Sequence, residues 1–281
     1  MSKIESALSK ARQERGIVPF STRGAGTGEV RASGTALVTD RAGHAPSDTI
    51  GRMRVSESRL LSPDDLSQRG IIHPGRLEDP VVQVFRELRT KIVQQSQGQN
   101  AVILVTAVSK GSGSSFVAQN LGAAFAFDAH KTALLIECNH RNPSAGGLST
   151  SAARPGLTDY LEIPDLEIAK IISPVGIARY RVIAAGKQSD VPLEYFTLPK
   201  MGRLIESVRQ RYRDRFIILD GPPMTSVADI RILSGLCDFV LVVARYGRAT
   251  HMQIENCLRV FADKKLLGIV FNDEPRIPRI R

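Results

Sequence analysis

The stretch Ala101–Leu121, AVILVTAVSKGSGSSFVAQNL, constrains the chain more than any other part of it. Ala101–Thr106 is apolar up to its final threonine and suits a strand buried on both faces. A glycine-bearing loop follows over Ala107–Gly113, and a helix opens at Ser114–Ser115. Strand, loop and helix in that order form a phosphate cradle, because backbone N–H groups and a helix N-terminus converge on one spot and favour an anion there. The stretch departs from the pattern G-x-x-x-x-G-K-[ST] at one position. That pattern sets a lysine directly after its last glycine, where the charge meets the β- and γ-phosphates. Here the residue is Ser114.

A phosphate loop of this kind also needs a second strand ending in an acid, to hold Mg²⁺ and its water. FIILDGPPM (Phe216–Met224) supplies one, with Asp220 following four apolar residues. A carboxylate at the C-terminal edge of a buried strand sits in the crevice where open α/β sheets bind ligands. A dinucleotide reading of Gly111-Ser-Gly113, with Glu137 as the ribose acid, fails because Phe116 stands where the third glycine belongs and the loop starts too far beyond the strand.

Around these two segments β and α patterns alternate. Strands are expected at Thr132–Glu137, Arg181–Ala185, Phe216–Asp220, Phe239–Ala244 and Leu267–Phe271. Helices are expected at Val81–Gln95, Lys200–Tyr212, Val227–Leu236 and His251–Phe261, with a helical turn at Gly156–Leu161. Continuous apolar strands separated by helices predict an α/β fold with a parallel sheet flanked by helices. In Val81–Gln95 the residues Val81, Val84, Phe85, Leu88 and Ile92 share one face, while Arg86 and Arg89 lie together on another.

The N-terminal part reads differently. Ser2–Arg15 carries Ile4, Ala7, Leu8 and Ala11 at helical spacing and predicts a short amphipathic helix, marginal alone in water and suited to docking on a partner. Residues 16–79 are rich in Gly, Ser, Thr and Arg and read as a flexible linker, with Leu60-Leu61 and Ile71-Ile72 as anchoring turns. The P-loop domain is therefore placed at 80–275, and 276–281 form a basic tail.

The formal charge of +10 and pI near 9.8 suit acidic partners, or simply a solvated arginine-rich surface. No block of five to eight Lys/Arg residues marks a nucleic-acid tail, so no nucleic-acid partner is expected. Cys138, Cys237 and Cys257 lie far apart without metal-ligand spacing and read as reduced thiols, the last two as packing residues. His130, His140 and His251 read as surface or loop histidines. MSKIESALSK lacks a signal-peptide core and no apolar run is long enough to span a bilayer, so a cytoplasmic setting is expected.

Pro80–Asn272 resembles the bacterial tyrosine kinases of capsule and exopolysaccharide systems, within the MinD/ParA-like branch of P-loop ATPases. VFRELRT (Val84–Thr90) is similar to that family's subunit-contact helix, and VTAVSKGSGSS to its nucleotide loop. LLIECNHRNPS (Leu134–Ser144) is similar to the L-L-I-D-A-D-L-R-x-P segment, GLTDYL (Gly156–Leu161) to G-L-S-D-Y-L, and DGPP with Asp229 to D-T-P-P…D. LLGIVFND (Leu266–Asp273) is similar to the strand whose Asn, here Asn272, lies near the base. MSKIESALSKARQ is similar to the start of the exosortase-associated autokinases.

The resemblance implies ATP or ADP with Mg²⁺ at Lys110, Gly111, Ser112, Gly113, Ser114, Ser115, Arg141 and Asn272, with Ser115 and Asp220 toward the metal. It implies a subunit contact through Arg86 and Arg89, in a homo-oligomer or beside an active kinase. It further implies a membrane polysaccharide copolymerase as partner and a place at the inner face of the cytoplasmic membrane. The catalytic positions depart from the pattern. Ser114 replaces the loop lysine, Glu137 and Asn139 replace the paired aspartates, Gln83 replaces the contact-helix acid, and no tyrosine lies beyond Tyr246. These departures predict a regulatory or scaffold subunit. Two alternatives stand beside it: an ATPase or tyrosine autokinase in which Lys110 supplies the missing charge, and a MinD/ParA-like positioning protein.

Overall fold

The computed structural model describes residues 60–140, 148, 154–187, 192–261 and 266–275. The expected N-terminal helix, the basic tail and Arg141 lie outside them. Strand β1 (Val102–Ala107) is the middle of the structure, fully buried along its whole length. It pairs in parallel with β5 (Arg215–Asp220) on one side and β6 (Phe239–Arg245) on the other. Beyond β5 lie β2 (Thr132–Glu137) and β4 (Tyr180–Ile183), and beyond β6 lies β7 (Leu266–Asn272), all parallel. A two-residue strand β3 (Ser173–Pro174) closes the β4 edge in antiparallel sense. The order β3-β4-β2-β5-β1-β6-β7 is that of an open doubly wound sheet.

The strands read as unbroken apolar runs because both faces are covered. Ile103, Val105 and Ile218 face a core completed by α2 (Pro80–Gln95) and α3 (Ser114–Ala126). Val102, Leu104 and Leu219 face the opposite core, closed by α4 (Leu157–Glu162), α7 (Pro199–Arg211), α8 (Val227–Gly235) and α9 (His251–Val260). α2 starts where expected because the Asp79 carboxylate accepts from the Val81 N–H and Pro80 occupies the first turn, where no amide donor is required. Two short helices, α5 (Ile168–Ile171) and α6 (Pro192–Thr197), have too few residues to show a period and were not legible.

The boundary expected at residue 80 falls too late. α1 (Pro63–Gln68) is capped by Ser62, and Leu66, Ile71 and Ile72 are buried in the α2/α3 core. Asn120 of α3, fully buried, accepts from the Ile72 N–H at 2.8 Å and donates to the Gly70 carbonyl at 3.1 Å. Residues 61–79 are thus a strap on the nucleotide-loop helix rather than linker. Composition concealed this, because three apolar side chains and one asparagine on another element do the anchoring.

Candidate functional site: a phosphate cradle

The cradle forms where β1 ends. Val108 extends the β1–β6 ladder, its N–H donating to the Val243 carbonyl at 2.9 Å, and the chain then turns through Ser109–Gly113 into α3. Gly111 and Gly113 adopt φ +80° and +88°, the left-handed region that glycine occupies without a Cβ penalty. The Ser112 hydroxyl donates to the Ser109 carbonyl at 2.8 Å and is turned into the loop, away from the cavity. The opposite wall is the Gly221–Ser226 segment. It is fastened to β1 by Gly221 N–H to Val105 O (2.9 Å), Met224 N–H to Ala107 O (2.8 Å), and the Thr106 hydroxyl to Pro222 O (2.7 Å).

Between the walls lies a cavity of about 310 Å³, lined by Lys110, Gly111, Gly113, Ser114 and Ser115 on one side and by Asn139, Pro222, Pro223, Thr225 and Ser226 on the other. Among the described residues Lys110 is the one charged side chain in that lining, carried on the exposed edge of the loop. The hydroxyls of Thr225 and Ser226 were missed in the sequence. Their only signal was position, directly after Gly-Pro-Pro.

Below the cavity, Glu137 and Asp220 end their strands in register and are both fully buried. Both lie on the α3 side of the sheet, since Leu135 and Ile218, two residues earlier, pack in that core. Glu137 Oε2 accepts from the Ala185 N–H at 3.1 Å, so this carboxylate joins the end of β2 to the segment that follows β4. The thiol of Cys138 is pushed well above its ordinary range by burial, and further by the adjacent Asp220 and Glu137 charges. It is inert packing rather than a nucleophile.

The residues present fit a phosphorylated nucleotide: a glycine loop, a helix N-terminus and the Lys110 cation around a cavity of that size. They fit Mg²⁺ in donor type, through the Ser115 hydroxyl and the Asp220 carboxylate, with Asn139 offering an amide where a second carboxylate would complete a hard-cation site.

No family model matches the chain. Tyrosine-protein kinase Wzc of Salmonella typhi is 31% identical over 208 residues, which cover 73% of this chain and 28% of that protein. Tyrosine-protein kinase CpsD of Streptococcus agalactiae serotype III is 29% identical over 191 residues, covering 67% of this chain and 80% of that one. The kinase domain of Escherichia coli tyrosine kinase Etk superposes with a TM-score of 0.63 at 24% identity, over 76% of this chain and 94% of that one. The chain belongs to the bacterial tyrosine-kinase family.

Within that family's P-loop fold, the sequence-selected residues fall into two groups. Lys110, Gly111, Gly113, Ser114 and Ser115 come together at the cavity, while Ser112 serves the loop and Asp220 stands behind it. Asn272 does not line the cavity. It reaches the loop from the far side, donating from Nδ2 to the Ser112 carbonyl at 3.0 Å. Arg89 donates to the Ala124 carbonyl at 3.2 Å, tying α2 to the last turn of α3, so part of its role lies within this chain. Arg86 is half-buried on the same helix.

His140, expected at the surface or in a loop, lies in the turn that follows β2 and is buried there. Thr158 spends its hydroxyl proton on the Ala185 carbonyl (2.8 Å), so Thr158 Oγ1 must accept from His140 Nδ1 at 3.2 Å. Nε2 is then the acceptor, enclosed and with no partner among the described residues. Burial accordingly lowers the His140 pKa to about 4. No helix among the described residues is long and apolar enough to cross a membrane.

Proposed function

We propose that this chain is a nucleotide-responsive regulatory or scaffold subunit of an exopolysaccharide synthesis and export complex, with phosphoryl transfer largely lost. One observation carries this reading: among the described residues Lys110 is the sole charge in the cavity lining, while the neutral Ser114 and Asn139 occupy the walls. The relatives' pattern places a lysine and an aspartate at those two positions. Phosphoryl transfer depends on positioning and on stabilising the charge that spreads over the transferred group. Each preorganised charged donor lost from such a site costs about 10²–10³ in rate. Losing two leaves turnover near background.

Binding is less demanding, because loop amides and the α3 dipole need no side-chain charge. When bound, Mg²⁺ would be held by Ser115 and Asp220 and would neutralise phosphate charge. Lys110 would meet the phosphates from the outer side of the loop, and Thr225 and Ser226 would offer hydroxyls from the opposite wall. In this reading Ser2–Arg15 docks on a membrane copolymerase, and Arg86 contacts another subunit.

The test is ATP binding and turnover by the purified full chain with Mg²⁺, alongside Ser114→Lys and Lys110→Ala. The expected result is measurable binding and negligible hydrolysis, with binding strengthened by Ser114→Lys. A second reading, an ATPase or tyrosine autokinase relying on Lys110, draws support from the presence of that lysine in the lining. Robust hydrolysis abolished by Lys110→Ala would establish the second reading and overturn the first.

A further inference from the structure

At the end of the sheet opposite the cradle, the first residues of β2, β4 and β5 meet the last turn of α7. Register sets Thr132 beside Arg215, and Leu134 beside Arg181. All three polar residues project to the face that α7 covers, because Ile183, Leu134 and Ile217, each two positions on, pack in that core. β4 and β5 flank β2, with Arg215 level with Thr132 and Arg181 two positions further along, level with Leu134, so the two arginines start roughly 12 Å apart on a diagonal that crosses β2 between Thr132 and Leu134. Two arginine side chains can converge across that gap.

Tyr212, just past α7, covers the spot. The Arg215 guanidinium lies 3.6 Å from its ring centroid and that of Arg211 5.8 Å. Arg215 is only 4% exposed, and Arg181 is half-buried. Their hydrogen bonds are few. Arg215 Nε donates to Thr132 Oγ1 at a long 3.5 Å and its side chain also hydrogen-bonds Tyr212, while Arg181 gives one N–H to the Tyr180 carbonyl at 3.1 Å. Neither belongs to any of the ion pairs among the described residues.

A guanidinium cannot shed its proton to escape burial, and enclosing one without a counter-charge is costly. Burial disfavours the charged form of both groups here, and Arg181 repels Arg215 as well, while Tyr212 and the half-buried Asp214 act in the opposite direction. The place is therefore short of negative charge while rich in N–H donors. Two planar donor forks beside a hydroxyl match a tetrahedral oxyanion better than a single carboxylate.

We propose that this lower edge is a second anion site, binding phosphate or a phosphate monoester between Arg181 and Arg215 over Thr132. The site is independent of the nucleotide cradle, which lies at the other end of the strands. The experiment is equilibrium dialysis of the full chain against labelled inorganic phosphate, repeated in a Lys110→Ala background. Binding is expected to persist in Lys110→Ala and to weaken at least tenfold in Arg181→Gln, whose partial exposure spares the fold. Arg215→Lys, which keeps charge but loses the fork, is expected to weaken it similarly, with circular dichroism confirming the native fold.

Three results would overturn the proposal: no phosphate bound by the wild-type chain, binding lost entirely in Lys110→Ala, or binding unchanged in folded Arg181→Gln. If phosphate binds but fructose 1-phosphate or other monoesters fail to compete, the free ion is the ligand. Competition at similar concentration assigns the ester.

Discussion

Gly113 meets two demands that no other residue can satisfy together. Its φ of +88° disfavours any side chain, and an added Cβ would stand 2.2 Å from Asn272 Nδ2. Gly113→Ala is therefore expected to cost about 1–3 kcal/mol of strain and to release Asn272 from Ser112. Urea unfolding should show the lost stability, and nucleotide affinity should fall with it because the loop's amides would no longer converge. His140 gives a second test, one of pH. Its proton acceptor is buried, and its folded pKa of about 4 lies below the 6.5 of the unfolded chain. The unfolded state thus binds the proton more readily, so the stability His140 contributes is full above pH 6.5 and drains away as pH falls toward 4. Thermal melts across that window should show the slope, and His140→Gln should flatten it. A slope unchanged in the variant would assign it to other groups.

At the scale of elements, the strap and the nucleotide-loop helix are one mechanical unit. Asn120 also donates to Phe116 O, inside its own helix, so a single side chain joins α3 to both Gly70 and Ile72. Asn120→Ala leaves the Ile72 N–H and the Gly70 carbonyl without this partner and should cost about 1–3 kcal/mol. Hydrogen exchange should quicken at Ile72 while β1 stays protected; protection retained at Ile72 would refute the strap's dependence on Asn120. This linkage was also where the sequence was hardest to read. The six parallel strands were legible within a residue or two because a sheet covered on both faces demands unbroken apolar runs, as in Leu134-Leu135-Ile136, whereas the two-residue β3 is too short to show a pattern. The cradle was legible because its glycines carry a backbone requirement. The strap was legible only in part, at the anchoring turns that Leu61 and Ile71-Ile72 bury, since the rest of its fastening is tertiary: Leu66 sits among polar neighbours, and the asparagine that holds Gly70 and Ile72 is about fifty positions away. The burial of His140 and the turn of Asn272 toward Ser112 were hidden for the same reason. Position along a motif locates a residue near the site without saying which way its side chain turns.

For the whole molecule, the charge distribution separates two ends of one sheet. The cradle lining presents Lys110 near two buried acids, whereas the opposite end gathers Arg181, Arg211 and Arg215 around Tyr212. The sheet order also has a consequence in time. β1 takes its ladder partners from β5 and β6, pairing Val102 with Ile217 and Ile103 with Phe239, so neither edge of the central strand is satisfied by a sequence neighbour. Closing contacts of that separation is entropically slow. On the ribosome, β1 must wait for more than a hundred further residues to emerge. Until then the wall that Thr106 and Ala107 hold in place does not exist, and a nascent chain has an apolar strand in search of a partner and no cradle to offer a nucleotide.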